Sequence, residues 1–429
     1  MPEPPALTPP GDFPNWQRSV GFIAVGAGIA AFSMNFWIPF LPLYMRDLGA
    51  ETESRQLFWT ALALSSNGIF RMIGGPIWGV LSDRYGRKPM FVRALFAATI
   101  TTLIAGLATA PWHVALAMAC QGLLSGFIPA AVALTSVSVP QSRLTSALGQ
   151  VQGAQYAGST VGPAAGALLA QFVDLRGAIL ASAILPCIAA TIVLIGVPRD
   201  RIAWQPPAAR ASGRTGWRRA IPAGAGLQFG LGLLLYFMLF TMVDLVRTAA
   251  PAAISALADT GSATGATGIA FTVSGMAGVA GALVLSRFVG KPGEFRLSLT
   301  IVVAVCAVSH IALGLAPTVT LFIAAYGVAS LARGAMLPAT NTIIAASVPS
   351  ERRGTAFGIA SAVQASAFIV GPMSAALFAT VSLSLGFIVL GLVLGVTALI
   401  TLVALREPNL TAQVPIQEES PRSPTRAPA

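Results

Sequence analysis

SVPQSRLTSALG, Ser138 to Gly149, returns as SVPSERRGTAFG, Ser347 to Gly358, at an offset of 209 residues. The same offset carries Pro129 onto Pro338, Gln155 onto Gln364 and Gly162-Pro163 onto Gly371-Pro372. With a small gap, LSDRYGRKP at Leu81 to Pro89 also matches LSRFVGKP at Leu285 to Pro292. A spacing held this constant across a chain of 429 residues is an internal duplication, so the fold is two copies of one unit.

The composition says what the unit is made of. The chain is 55% hydrophobic and only 10% charged, and apolar runs of about 20 residues, enough for a helix to cross a hydrocarbon core of roughly 30 Å, recur throughout. Breaks at charge clusters and Pro/Gly turns place spans near 19–44, 57–81, 90–110, 112–137, 146–171 and 174–197, then near 221–248, 265–286, 297–316, 318–346, 354–379 and 382–405. The expected fold is an all-α membrane protein of twelve transmembrane helices in two six-helix bundles, 19–197 and 221–405. An arginine- and proline-bearing linker, 198–220, joins them. A segment 1–18 without the pattern of a secretory signal precedes them, so the first span directs insertion, and a Pro/Ser/Glu-rich tail, 406–429, follows with the composition of a disordered segment.

The net charge of +11 comes from basic residues dispersed in short loops, with no patch interleaved with aromatics, so nucleic acid is not an expected partner. The charge reports topology. If the N-terminus is cytoplasmic, 20 of the 26 Lys and Arg fall on that side, and the outer side holds Arg46, Arg55, Arg176 and Arg247. Both termini are then cytoplasmic, and an even number of spans per half makes the two units parallel.

No paired carboxylates, metal-ligand cluster or nucleophile constellation stands in the sequence, so neither an enzyme nor a bound metal or cofactor is expected. Gly26-Ala-Gly28-Ile-Ala-Ala31 imitates a dinucleotide fingerprint, but it is embedded in an apolar span with no strand before it. Cys120, Cys187 and Cys306 all lie in apolar runs and read as small packing residues.

GVLSDRYGRKP, Gly79 to Pro89 between spans two and three, resembles the signature loop of the major facilitator superfamily. Gly79 and Gly86 permit close packing and a tight turn, Asp83 can sit against a helix N-terminus as a gate latch, and Arg84, Arg87 and Lys88 are expected to face water or lipid phosphates. In span five, Gly158-x-x-x-Gly162-Pro163-x-x-Gly166 resembles the antiporter motif of drug:proton exporters, with Ala167 where a final glycine is usual. Its glycines make a smooth face, and Pro163, with Gly371-Pro372 in the second half, lets the helix bend. Ile38 to Tyr44 and Gly122 to Pro129 are similar to MdtG-type multidrug exporters, most clearly in the first half. The resemblance implies proton-driven export of drugs or related small organic molecules by a monomer in the bacterial inner membrane. One departure stands out: the arginine that family places four residues before the glycine matched by Gly122 is Met118 here.

Ionisable and polar groups at membrane depth are functional candidates by default. Arg71 and Arg333 stand in opposite halves and are placed to attract an anionic portion of a substrate. Asn35, Gln121 and Asn341 lie on spans that line the cavity in the superfamily, and Phe36 and Tyr236 offer apolar contact surface. Asp244 is the one carboxylate within a predicted span, either paired with Arg247 one turn on or carrying protons. His113 reads as interfacial and His310 as a packed polar residue. An uncoupled facilitator, an importer of an organic anion, or a receptor without flux remains open as an alternative.

Overall fold

The computed structural model describes residues 15–139, 143–198, 226–258, 262–289, 293–348 and 353–407. Almost all of the expected N-terminal segment, linker and tail lies outside these residues. Among the described residues every regular element is a helix.

Ten of the described helical stretches are long and apolar enough to cross a membrane. One of them, Ala147–Gly196, has 50 residues and at 1.5 Å per residue is far too long for a single crossing of about 30 Å. It turns at Asp174, whose φ of 64° breaks the helix and whose Oδ1 accepts from the Gly177 amide at 2.6 Å, capping the next one. Spans five and six meet there. The remaining span, two, is Glu53–Tyr85, which carries Arg71 and charged residues at both ends and so is less apolar. Twelve spans result among the described residues, as expected.

Span one is Trp16–Trp37, a short turn Ile38–Phe40 around Pro39, and Leu41–Asp47. Spans three and four are Arg87–Gly106 and Pro111–Ser138, the latter interrupted. In the second half, span seven is Gly226–Leu257 and span eight runs from Ala263 to Val289 through a π-helical turn. Spans nine to twelve are Phe295–Leu315, Val319–Ala346, Arg353–Ala379 and Leu383–Ala404. Spans two, ten and twelve each start on a hydroxyl cap: Thr52, Thr318 and Ser382 accept from the amide three residues on.

Each half has its own core. In the first, Ile23, Phe91, Leu95 and Val193 pack together, beside a second cluster around Trp37, Leu41, Tyr44 and Met118. In the second, Leu239, Phe295, Val303, Phe322 and Phe387 form one cluster. A smaller cluster, Leu57, Ala61, Ala252 and Ala376, joins the halves where span two begins and spans seven and eleven end. This far face is opposite the terminal face, which carries residues 15, 198, 226 and 407. Ser54 donates to Ala379 O at 3.0 Å and Ser65 to Ile369 O at 3.3 Å, tying span two to span eleven on that side. Toward the terminal face Met72, Ile73, Gln152 and Tyr156 are exposed. The halves are thus tied to each other at the far face.

Candidate functional site

The site is built where glycine lets helices touch. A Cβ on Gly158 would lie 2.2 Å from Gly28 O, on Gly162 2.8 Å from Phe32 O, and on Gly166 1.8 Å from Phe36 O. Three glycines at four-residue steps thus seat span five on three carbonyls of span one at the same step, a contact no larger residue allows. Phe36, expected as a substrate contact, is buried in this seam, with its ring 5.6 Å from that of Phe32. In the second half Gly371 does the same on span seven, where a Cβ would meet Asp244 Cβ at 2.8 Å and Thr241 O at 3.0 Å. Pro163 and Pro372 are both buried inside their helices.

Beside these seams polar groups converge. Asn35 donates Nδ2 to Ala31 O at 2.9 Å and to Ser159 Oγ at 3.1 Å, and its Oδ1 accepts from Arg247 Nη2 at 3.2 Å. The sequence reading puts Arg247 in an outer loop, but span seven continues ten residues past it through Pro251, because TAAPAAISAL is apolar enough to remain helical in lipid. The one-turn ion pair between Asp244 and Arg247 is not formed. Asp244 is buried, and its Oδ2 has no partner among the described residues. The charges acting on it are those of Arg247, Arg333 and Arg71. Arg71 donates to Asn67 Oδ1 at 2.7 Å, and Asn67 in turn donates to Met118 O at 2.9 Å. Met118 thus offers only its backbone where the family has an arginine.

Arg333 borders a small cavity with room for about one water, lined also by Met242, Val246, His310 and Ser330. His310 itself is packed, with Nδ1 2.6 Å from Cys306 O. Gln121 is buried with neither amide atom partnered among the described residues. Tyr236 is half-buried, its ring 4.9 Å from Phe240, which stacks edge-on against Phe368 of span eleven at 5.7 Å. Asn341 is half-buried further along span ten.

At the loop between spans two and three, Gly86 has φ 100°, a conformation that favours glycine. Arg84 is exposed and lies over the Tyr85 ring. Two neighbours depart from the expectation that they face water or lipid. Arg87 donates to Ala133 O and Ser136 Oγ, both at 3.0 Å, and Lys88 is buried, donating to Leu194 O at 2.8 Å and Val197 O at 2.5 Å. For Lys88 the reason is backbone supply: the last carbonyls of span six have no helical partner, and a cation fits there, while Arg87 finds its acceptors on span four. The Asp83 side chain and the surroundings of Gly79 lie outside the described residues.

Span four holds a feature the sequence reading missed. Its helix ends at Leu124 and restarts at Phe127, with Gly126 left-handed at φ 64°. The freed carbonyls are taken up from neighbouring spans: Trp78 Nε1 donates to Leu123 O at 2.6 Å, and Arg93 donates to Leu124 O at 2.7 Å and Ser125 O at 3.4 Å. The Arg93 guanidinium rests 3.4 Å from the Trp78 ring centroid. Irregular backbone inside a membrane survives only when protein satisfies it in this way. The crowding of Gly122, Ser125, Gly126 and Pro129 in eight residues was the available signal.

Two duplicated six-helix bundles that meet at a polar seam define a multi-pass membrane protein. The sequence model of the Major Facilitator Superfamily matches residues 23–245 and 233–428, and the chain belongs to that superfamily. It is 38% identical over 186 residues to the multidrug resistance protein MdtG of Citrobacter koseri, 43% of this chain and 46% of that protein. The MdtG of Salmonella arizonae is 36% identical over 189 residues, 43% and 47%. The match thus spans about half the length of these relatives. Among solved structures, the nucleoside transporter NupG aligns at TM-score 0.69 and 13% identity, covering 89% of this chain and 98% of that one. A bacterial homolog of the human lysosomal transporter Spinster, inward-facing and unoccupied, aligns at 0.70 and 12%, covering 92% and 98%. At such identities these two share the fold. The chain is a multi-pass membrane protein of that superfamily.

Proposed function

We propose that this protein exports small organic molecules, drugs among them, from a bacterial cytoplasm in exchange for protons, by rocking bundles 19–197 and 221–405 about their shared seam. The observation that carries the reading is the seating of Gly158, Gly162 and Gly166 on span one, the contact that the antiporter motif of drug exporters implies. The relatives named as multidrug resistance proteins support it over 43% of the chain. With the terminal face cytoplasmic, as the distribution of basic residues favours, the tied far face is the outer one. Arg71, Gln121, Tyr236, Arg333 and Asn341 are the substrate contacts, Asn35 and Phe36 hold the seam behind them, and Asp244 carries the proton. Gly79, Asp83, Arg84, Gly86 and Arg87 form the gate loop, and Pro163 and Pro372 the bending points. A monomer in the lipid bilayer suffices, with no cofactor.

The second reading, a facilitator or importer of an organic anion, is favoured by one feature: three guanidiniums, Arg71, Arg247 and Arg333, act on the single carboxylate of Asp244. Uptake into inside-out vesicles separates the two. Accumulation of cationic and neutral drugs driven by a proton gradient is the expected result; equilibration of an organic anion regardless of the gradient would replace export with facilitation.

A further inference from the structure

The offset of 209 residues that relates the two halves also carries Asn35 onto Asp244 and Pro42 onto Pro251. The structure places Asn35 and Asp244 as true counterparts. Gly162 lies against Phe32 O and Asn35, and its mate Gly371 lies against Thr241 O and Asp244, with Phe32 and Thr241 again 209 apart. One half therefore presents a neutral amide and the other an acid at the same point of the fold. Arg247 belongs to the span of the acid, three residues on, yet it gives its hydrogen bond to the amide of the other half. Two acceptors within reach of one guanidinium, one fixed in charge and one able to gain or lose a proton, make a switch.

We propose that Arg247 is the positioning residue of coupling, exchanging between Asn35 and Asp244 as Asp244 loses and gains a proton. The inference rests on the proton-exchange reading and names how that exchange moves the bundles. With a proton on the carboxyl, Asp244 is neutral, Arg247 bonds Asn35 across the seam, and the far face stays closed, as seen here. When the carboxyl releases its proton to the terminal side, the carboxylate draws Arg247 into an ion pair within span seven. The tie to span one breaks and the far face is free to open. A proton arriving from the far side restores the first arrangement, and atoms and charge balance at one proton per cycle.

The surroundings bear on the direction of this exchange. Arg71 of span two and Arg333 of span ten also act on Asp244; Tyr326 stands on span ten, and His310 of span nine borders the same small cavity as Arg333. At the end of span one, Arg46 and Asp47 pair with each other at 3.6 Å. Spans eight and twelve bring no charged side chain to this level among the described residues, and span eleven brings Gly371. Arg71 is held by Asn67. Arg247 is therefore the guanidinium that shares a helix with the acid and a bond with the other half.

The test reads conformation, so that it does not depend on finding the transported compound. Leu57, fully buried in the far-face cluster, is replaced by Cys in a full-length chain whose three native cysteines are Ala, and its reaction with a membrane-impermeant maleimide is followed from the far side. Labelling of this parent should rise about tenfold from about pH 5.5 to about pH 8.5, since one linked carboxylate biases the equilibrium by up to that factor per unit. Asp244→Asn should stay slow at both values, and Asn35→Ala fast at both. The decisive variant is Asn35→Asp with Asp244→Asn, which moves the acid to the other half. Deprotonation should then tie the halves more firmly, and labelling should fall as pH rises. Arg247→Lys, which keeps the charge, checks that loss of response is not loss of fold, and should retain a weakened rise. A pH response that survives in Asp244→Asn, or a double variant whose response keeps the parental sign, would overturn the proposal. If the labelling behaves as expected while vesicles show no gradient-driven drug uptake, the export reading fails and the switch stands.

Discussion

Spans one and five of the first half and spans seven and eleven of the second are the same contact, built twice and filled differently. Where the first half has Gly158, Gly162 and Gly166, the second has Ala367, Gly371 and Ala375 at the same offset. The middle glycine is kept because it alone lies beneath a polar side chain, Asn35 in one half and Asp244 in the other. The outer glycines are replaced by alanines, both buried, where spans seven and eleven stand far enough apart to admit a methyl group. Span four is broken at Gly126 while its mate, span ten, runs unbroken from Val319 to Ala346 and carries Arg333. Duplication fixed the backbone frame, and divergence then gave one half a tight seam with a sealed break and the other the acid and a cavity-lining arginine.

The comparison breaks most visibly at the outer glycines. Gly166→Ala places a methyl group 1.8 Å from Phe36 O, and overpacking of this kind costs about 1–3 kcal/mol or more. The thermal midpoint of the purified protein should fall sharply, whereas Ala375→Gly in the second half should change it by less than a third as much. Equal effects would mean that the two seams are equally tight.

The break in span four gives the next largest effect. Arg93→Ala leaves the carbonyls of Leu124 and Ser125 without their donor, a loss of about 1.5–3 kcal/mol for bonds from a charged group. Denaturant or thermal unfolding of Arg93→Ala and Trp78→Phe should show destabilisation of both, and substitutions around Gly334, the mate of Ser125, should show none of this coupling to span three. A smaller difference is expected at the arginines. Arg333→Ala should weaken transport of anionic compounds about tenfold, equivalent to about 1.4 kcal/mol, and leave cationic ones nearly unchanged. Arg71→Ala should do less, because Asn67 already shares its guanidinium. Competition assays with matched anionic and cationic dyes measure both. The smallest effect on transport is expected at Lys88, where Lys88→Met removes two bonds to the end of span six. It should lower the thermal midpoint about as much as Arg93→Ala does, without altering substrate preference.

Much of the architecture was legible in advance. Apolar run length, the bias of basic residues and the repeat at 209 residues required twelve spans in two parallel bundles. These are properties of a chain read one residue after another, because in lipid each helix must satisfy its own backbone and so announces itself by length and hydropathy. The glycines of span five and the set of polar residues at depth were legible for the same reason. Their partners were not. Arg247 stands three residues from Asp244 and 212 from Asn35, and it is the distant residue that it bonds. Lys88 is buried by the carbonyls of a helix that ends 106 to 109 residues later, and the break of span four holds because Trp78 and Arg93 arrive from two other spans. Sequence determined which groups are carried into the membrane. Only tertiary structure decided which of them meet, since in a medium without water a polar group takes whatever partner the packing of other helices brings within about 3 Å.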